Sequence, residues 1–171
     1  MPMHRLHLLR HAKSDRDQPV EDKERRLSRR GREAARRVGE SLPARVGPID
    51  LVLCSSATRT RETAELVLAP YPAPPPVRYE DALYLASAAG LLRRLRQLDE
   101  AAGVVLVIGH NPGLHELAVA LAAPHSAHYR ALADGKFPTA ARASFAIERA
   151  WAELDRGRHA LIDYVTAKSL G

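Results

Sequence analysis

Val104-Val105-Leu106-Val107-Ile108 is an unbroken run of five apolar residues, four of them β-branched, that ends in Gly109-His110-Asn111-Pro112-Gly113. A strand without polar alternation has no face to offer water. It belongs inside a sheet covered on both sides, the arrangement of parallel strands joined by crossover helices. The rest of the chain supplies the covering layers. Leu6 to Leu9 precedes a helix opening at Ser28, and Leu51 to Leu53 precedes a helical stretch from about Ala57 to Ala69. Pro76 to Tyr79 fits a short strand, Ser87 suits the N-cap of a helix through Leu98, and Pro112 suits the first turn of a helix to about Ala122. Ala143 to Ile147 and Ala160 to Val165 alternate as strands do. This order predicts an α/β fold, a three-layer α/β/α sandwich on a mainly parallel sheet with right-handed crossovers. Pro70 to Pro76 reads as a stiff connector that no helix can enter, and nothing else divides the 171 residues, so one domain over 1–171 is expected.

Charge and cysteine content remove several function classes. Lys23, Arg25, Arg26, Arg29, Arg30, Arg32, Arg36 and Arg37 stand against Glu24 and Glu33, and this one segment accounts for the whole formal surplus of +6. It reads as a solvated helix face or as a surface met by an anionic partner. Aromatic residues make up 5% of the chain and do not interleave with the basic run, so no stacking platform for single strands is present and no nucleic-acid partner is expected. The lone Cys54 excludes an intrachain disulfide and a Cys-based zinc module. The longest apolar run, Leu117 to Pro124, is far below the roughly 20 residues of a membrane span, and Met1 to Arg5 lacks a secretory apolar stretch. A cytoplasmic chain with no membrane partner is the expectation.

In open α/β sheets, ligands bind beyond the carboxyl ends of the strands. Arg10-His11 follows the first strand, Ser55-Ser56-Ala57-Thr58-Arg59 the second, and Gly109-His110 the Val104 run, so two arginines and two histidines converge on one rim. Two guanidinium forks describe a site for a phosphate dianion. A histidine between them can attack phosphorus through one ring nitrogen if a backbone carbonyl holds the other, and the second histidine, protonated beside the phosphate, can stabilise its oxygens. The helix N-termini after Ala57 and Asn111 would point N–H donors at the same anion. Such a site performs phosphoryl transfer through a phosphohistidine intermediate and calls for neither metal nor cofactor.

Leu8-Leu9-Arg10-His11-Ala12 resembles the Arg-His-Gly signature of the histidine phosphatase superfamily, whose fold is phosphoglycerate-mutase-like, with Ala12 in place of the usual Gly. Further pieces follow in order. His11-Ala12-Lys13-Ser14, Leu27-Ser28-Arg29-Arg30-Gly31, Ser55 to Ala64, Leu83-Tyr84, Gly109 to Gly113 and Lys136-Phe137-Pro138-Thr139-Ala140 are similar to the small SixA-type phosphohistidine phosphatases. The resemblance implies that His11 is the nucleophile and that Arg10, Arg59 and His110 clamp the phosphate, with Lys13 and Ser14 as further candidate ligands. Asn111 is expected to cap the helix at Pro112.

Larger members of that superfamily carry an acid in an inserted segment or just after the second His. Here Asn111-Pro112 follows His110, and Glu80 and Asp81 are the candidate acids by position. A site without a strong acid favours phosphohistidine, which leaves as neutral imidazole, over an ester that leaves as alkoxide. The expected partner is therefore a protein bearing phosphohistidine. A small phosphoester, such as a sugar phosphate or nucleotide, and a non-catalytic phosphate-binding module are the alternatives. Cys54 and Arg59 fall one residue short of a Cys-x5-Arg loop, so Cys54 reads as a buried small residue. Asp15-Arg16-Asp17 reads as a polar loop, and His125 and His128 as surface histidines without a metal.

Overall fold

A computed structural model describes residues 3–170. Strands β1 (His4–Arg10), β2 (Leu51–Ser55), β3 (Val77–Glu80), β4 (Val104–Gly109), β5 (Arg142–Ile147) and β6 (Ala160–Val165) form one sheet in the order β3-β2-β4-β1-β5-β6. The first four are parallel, and β5 and β6 extend the sheet antiparallel beyond β1. The expected strands are all present, and the parallel character stops at β1, where β5 pairs antiparallel and β6 follows it antiparallel after a connection that includes Trp151–Glu153.

Successive residues of the central strands feed opposite cores, as the two-residue repeat of a strand requires. Leu6, Leu8, Val105 and Val107 pack with α3 (Ala88–Leu95), α4 (Gly113–Leu121) and α5 (Tyr129–Asp134). Leu9, Leu106 and Ile108 pack with α1 (Arg29–Arg45) and α2 (Thr58–Leu68) on the other side. The result is an α/β/α sandwich. Ser28 and Ser87 cap α1 and α3 by accepting hydrogen bonds from the Gly31 and Gly90 amides, each at 3.0 Å. The helix after Ser87 closes at Leu95, three residues before the expected Leu98. Among the described residues, no helix is long and apolar enough to cross a membrane.

Two local features decide where the loop after β1 lies. A Cβ at Gly31 would stand 2.0 Å from the Lys13 carbonyl oxygen, so the first turn of α1 presses directly on the loop that follows His11. The Thr63 hydroxyl donates to the Arg59 carbonyl at 2.7 Å and accepts from the Ala12 amide at 3.0 Å, which ties α2 to the same loop. Away from that rim, Arg142 is buried and bonds Asp163 at 2.8 Å and the Ser144 hydroxyl, which in turn meets His7 Nδ1 at 2.6 Å.

The basic segment 23–37 is largely committed to partners inside the fold. Lys23 pairs with Asp81, Arg25 with Asp22, Arg26 with Glu62 and Arg29 with Glu33, and Arg32 donates to the Leu27 carbonyl. Its formal charge therefore overstates the basic surface it offers.

Candidate active site

Parallel pairing of β1 with β4 sets Arg10 opposite Gly109, so His11 and His110 emerge side by side at the carboxyl end of the sheet. The His11 amide donates to the Gly109 carbonyl at 3.1 Å, and the two imidazole centroids lie 5.3 Å apart. Neighbouring β2 ends in Ser55 and delivers Arg59 on the first turn of α2. These residues border a cleft of about 800 Å³ lined also by Lys13, Ser14, Asp22 and Arg25.

The backbone orients the His11 ring. Its Nδ1 donates to the Ala12 carbonyl at 2.7 Å, which fixes the tautomer and leaves Nε2 with its lone pair. Burial, reinforced by the nearby His110, Arg59 and Arg10, pushes its pKa down to about 3, against the opposing pull of the Ala12 bond. His11 is therefore neutral at physiological pH. His110 accompanies it, lowered to about 4 by burial and by Arg59. Its Nε2 meets the Ser55 hydroxyl at 2.7 Å and its Nδ1 faces the Arg59 guanidinium Nη2 at 3.4 Å. The protonated state expected for His110 is thus absent until an anion enters to offset the arginine charges.

Arg10 and Arg59 both keep donors in reserve. Arg10 donates to the Phe137 carbonyl at 3.2 Å, Arg59 bonds the Asp22 carbonyl at 2.7 Å and its carboxylate at 3.1 Å, and both Nε–H groups are buried with no partner among the described residues. Burial and the charges of Arg16 and Arg59 lower the Arg10 pKa, another sign that positive charge is concentrated here. Buried unpaired guanidinium N–H groups are costly and suit an incoming dianion.

The other sequence-predicted residues divide. Lys13 and Ser14 border the cleft, but the Ser14 hydroxyl is engaged, donating to the Arg26 carbonyl at 2.6 Å and accepting from Arg25 at 3.0 Å. Asn111 does not cap α4. Its amide reaches across to the Phe137 carbonyl at 2.8 Å, and Pro112 takes the N-cap position without a side-chain bond. Glu80 and Asp81 are not brought to the cleft as proton donors. Arg94 holds Glu80 through two bonds at 2.8 and 2.9 Å, Ser56 and Lys23 hold Asp81, and these partners lower both carboxyl pKa values, so both stay ionised. Burial pushes the Cys54 thiol up to about 12, so it is inert.

Sequence reasoning assigned no role to Asp22 or Tyr84. Asp22 receives Tyr84, Arg59 and Arg25, which together hold its carboxyl well below the usual range, the tyrosine bond most of all. The Tyr84 ring also meets His110 edge-on at 5.4 Å. No local pattern marks Asp22, which stands between Glu21 and Lys23 in a loop of mixed charge without periodicity.

A neutral histidine flanked by two arginines and a second histidine, at the strand ends of an α/β/α sheet, is an arrangement able to bind a phosphoryl group and to attack it. Comparison with known proteins gives that arrangement its family. Residues 6–84 match the histidine phosphatase superfamily (branch 1), and the chain belongs to it. It is 34% identical to an uncharacterized protein of Mycobacterium tuberculosis over 159 residues, 91% of this chain and 98% of that one. Among solved structures it is similar to a protein assigned as the phosphohistidine phosphatase SixA of Nakamurella multipartitia, at 28% identity and TM-score 0.84, covering 97% of both chains. A counterpart assigned as SixA from Agrobacterium tumefaciens superposes with TM-score 0.79 at 26% identity, over 97% of this chain and 99% of that chain.

Proposed function

We propose that the chain removes the phosphoryl group from phosphohistidine on a protein partner, in two transfers and without a metal ion. In the first, His11 Nε2 forms a bond to phosphorus while the bond from phosphorus to the substrate imidazole breaks, and the substrate ring, which enters with a proton on its other nitrogen, leaves as neutral imidazole. In the second, water adds to phosphorus, the bond to His11 Nε2 breaks, and the water proton ends on the released phosphate. Because Nδ1–H stays on the Ala12 carbonyl, His11 also departs as neutral imidazole, so neither leaving group demands an acid. Arg10 and Arg59 spread the charge of the transferring group, and His110 holds a proton against its oxygens once the dianion is bound.

The observation that carries this reading is the state of the carboxylates. Asp22 is the one carboxylate bordering the cleft among the described residues, and its partners keep it ionised. An alkoxide leaving group would find no donor there, whereas an imidazole that already carries a proton on its other nitrogen, as a ring with a free pKa of about 6.5 readily does, needs none. The SixA likeness supports the same substrate. The test is turnover without divalent metal on a phosphohistidine peptide and on a panel of sugar phosphates and nucleotides, with His11→Ala as control. Faster cleavage of phosphohistidine, lost in the control, is expected. Preference for the esters would overturn the substrate class.

A further inference from the structure

We propose that Val20 and Leu85 form an apolar lip on the catalytic cleft that docks the protein segment around the phosphohistidine, and that Lys13 and Arg16 beside them select carboxylates in that segment. This rests on the substrate reading above and names the chemistry of the partner's flanking residues.

Single exposed apolar side chains are ordinary on a protein surface. Here two of the five large exposed ones among the described residues, Val20 at 46% and Leu85 at 53%, border the same cleft. Leu85 is also held at φ 50, a left-handed conformation that glycine or asparagine adopts far more readily than a leucine. The fold imposes it from both sides. Leu83 is buried in the core, the Tyr84 amide donates to the Asp81 carbonyl at 3.0 Å, and the Ala86 carbonyl lies where a Cβ at Gly113 would come within 1.9 Å. A strained, exposed leucine at the mouth of a site is a candidate contact residue.

The two lip residues come from separate segments that are bound together. Asp22 accepts from Tyr84, and Lys23 pairs with Asp81 at 2.9 Å, which straps the loop carrying Val20 to the turn carrying Leu85. That loop is braced internally by Gln18, whose side chain bonds the backbone of Asp15 and Arg26. The lip is thus preformed rather than assembled on binding.

Charge gives the occupant its sign. Arg10, Lys13, Arg16, Arg25 and Arg59 border the cleft against Asp22 alone, and Asp22 is already taken by Arg59 and Arg25. Arg10 and Arg59 line the inner part of the cleft beside His11 and His110. Lys13 and Arg16 are exposed and have no ion pair among the described residues, so they are available to a partner. A segment with an apolar side chain and carboxylates flanking its phosphohistidine complements both sets. A small phosphate compound engages the inner clamp and leaves the lip uncovered.

Four substrates separate these roles: a phosphohistidine peptide flanked by leucine and glutamate, one flanked by glycine and glutamate, one flanked by leucine and serine, whose slower cleavage reads Lys13 and Arg16, and phosphoimidazole. The wild-type protein should cleave the first with kcat/KM roughly 10-fold or more above the second, the effect of covering two half-exposed aliphatic side chains. The double variant Leu85→Asn with Val20→Ser should lose that preference while its phosphoimidazole turnover stays within about twofold. Asparagine tolerates the left-handed backbone, so the thermal midpoint should not fall. No peptide preference in the wild type, or a preference that survives in the variant, overturns the lip. Equal losses on peptide and phosphoimidazole also overturn it, since the residues would then act in catalysis or folding. Cleavage of small esters without cleavage of any phosphohistidine substrate overturns the substrate class as well.

Discussion

Lowering the pH from about 7 to about 5 should remove roughly 6 kcal/mol of folding stability, because three histidines are buried in their neutral form. His7 and His11 are held at about 3 and His110 at about 4, first of all by burial. In the unfolded chain each titrates near its ordinary value of about 6.5. Their folded values are depressed, so as the pH falls through 6.5 only the unfolded state gains protons, and stability drops until the folded values are reached. At about pH 5 each histidine contributes a loss of about 2 kcal/mol, and the three together approach the whole stability of an ordinary domain. Carboxylates such as Asp22 add little in this window, because their unfolded values of about 3.9 lie below it. Urea unfolding at both pH values measures the difference, and His7→Phe should recover about a third of it. A stability flat to within about 1 kcal/mol over this range would refute the neutral, buried state of these rings, and with it the readiness of His11 to attack.

Other perturbations probe the clamp and its supports. Arg59→Ala should lower the rate of phosphoryl release by roughly 10²- to 10³-fold, and Arg59→Lys should restore only part of it, because a point charge replaces a fork; steady-state turnover reads both. Gly31→Ala should push the Lys13 backbone off its position, lowering both kcat and stability by about 1–3 kcal/mol in thermal and kinetic assays, despite the better helix propensity of alanine. Asp163→Ala should cost about 3 kcal/mol in urea titration, since it strips the buried Arg142 of its carboxylate.

The framework was legible in the sequence because it rests on periodicity and caps. The Val104 run, the serine caps at Ser28 and Ser87 and the alternating late strands each announce an element from local residues, and parallel pairing then brings His11 and His110 together without further information. What escaped was decided at long range. Asp22 acquires its role only when a loop folds over α2, and Tyr84 only when the turn after β3 meets the end of β4. Asn111 sits where a cap is expected, yet the carbonyl of Phe137, 26 residues on, is a nearer partner for its amide. Glu80 and Asp81 occupy the right stretch of chain for an acid, but Arg94, Lys23 and Ser56 claim them, and no local pattern shows that competition.

The central claim is covalent chemistry at His11. Brief exposure of the wild-type protein to labelled phosphohistidine peptide, followed by a base quench and peptide mapping, should find an acid-labile, base-stable phosphoryl group on His11, absent in His11→Ala and reduced in Arg59→Ala. Full turnover with no label on His11, or label retained in His11→Ala, would contradict it.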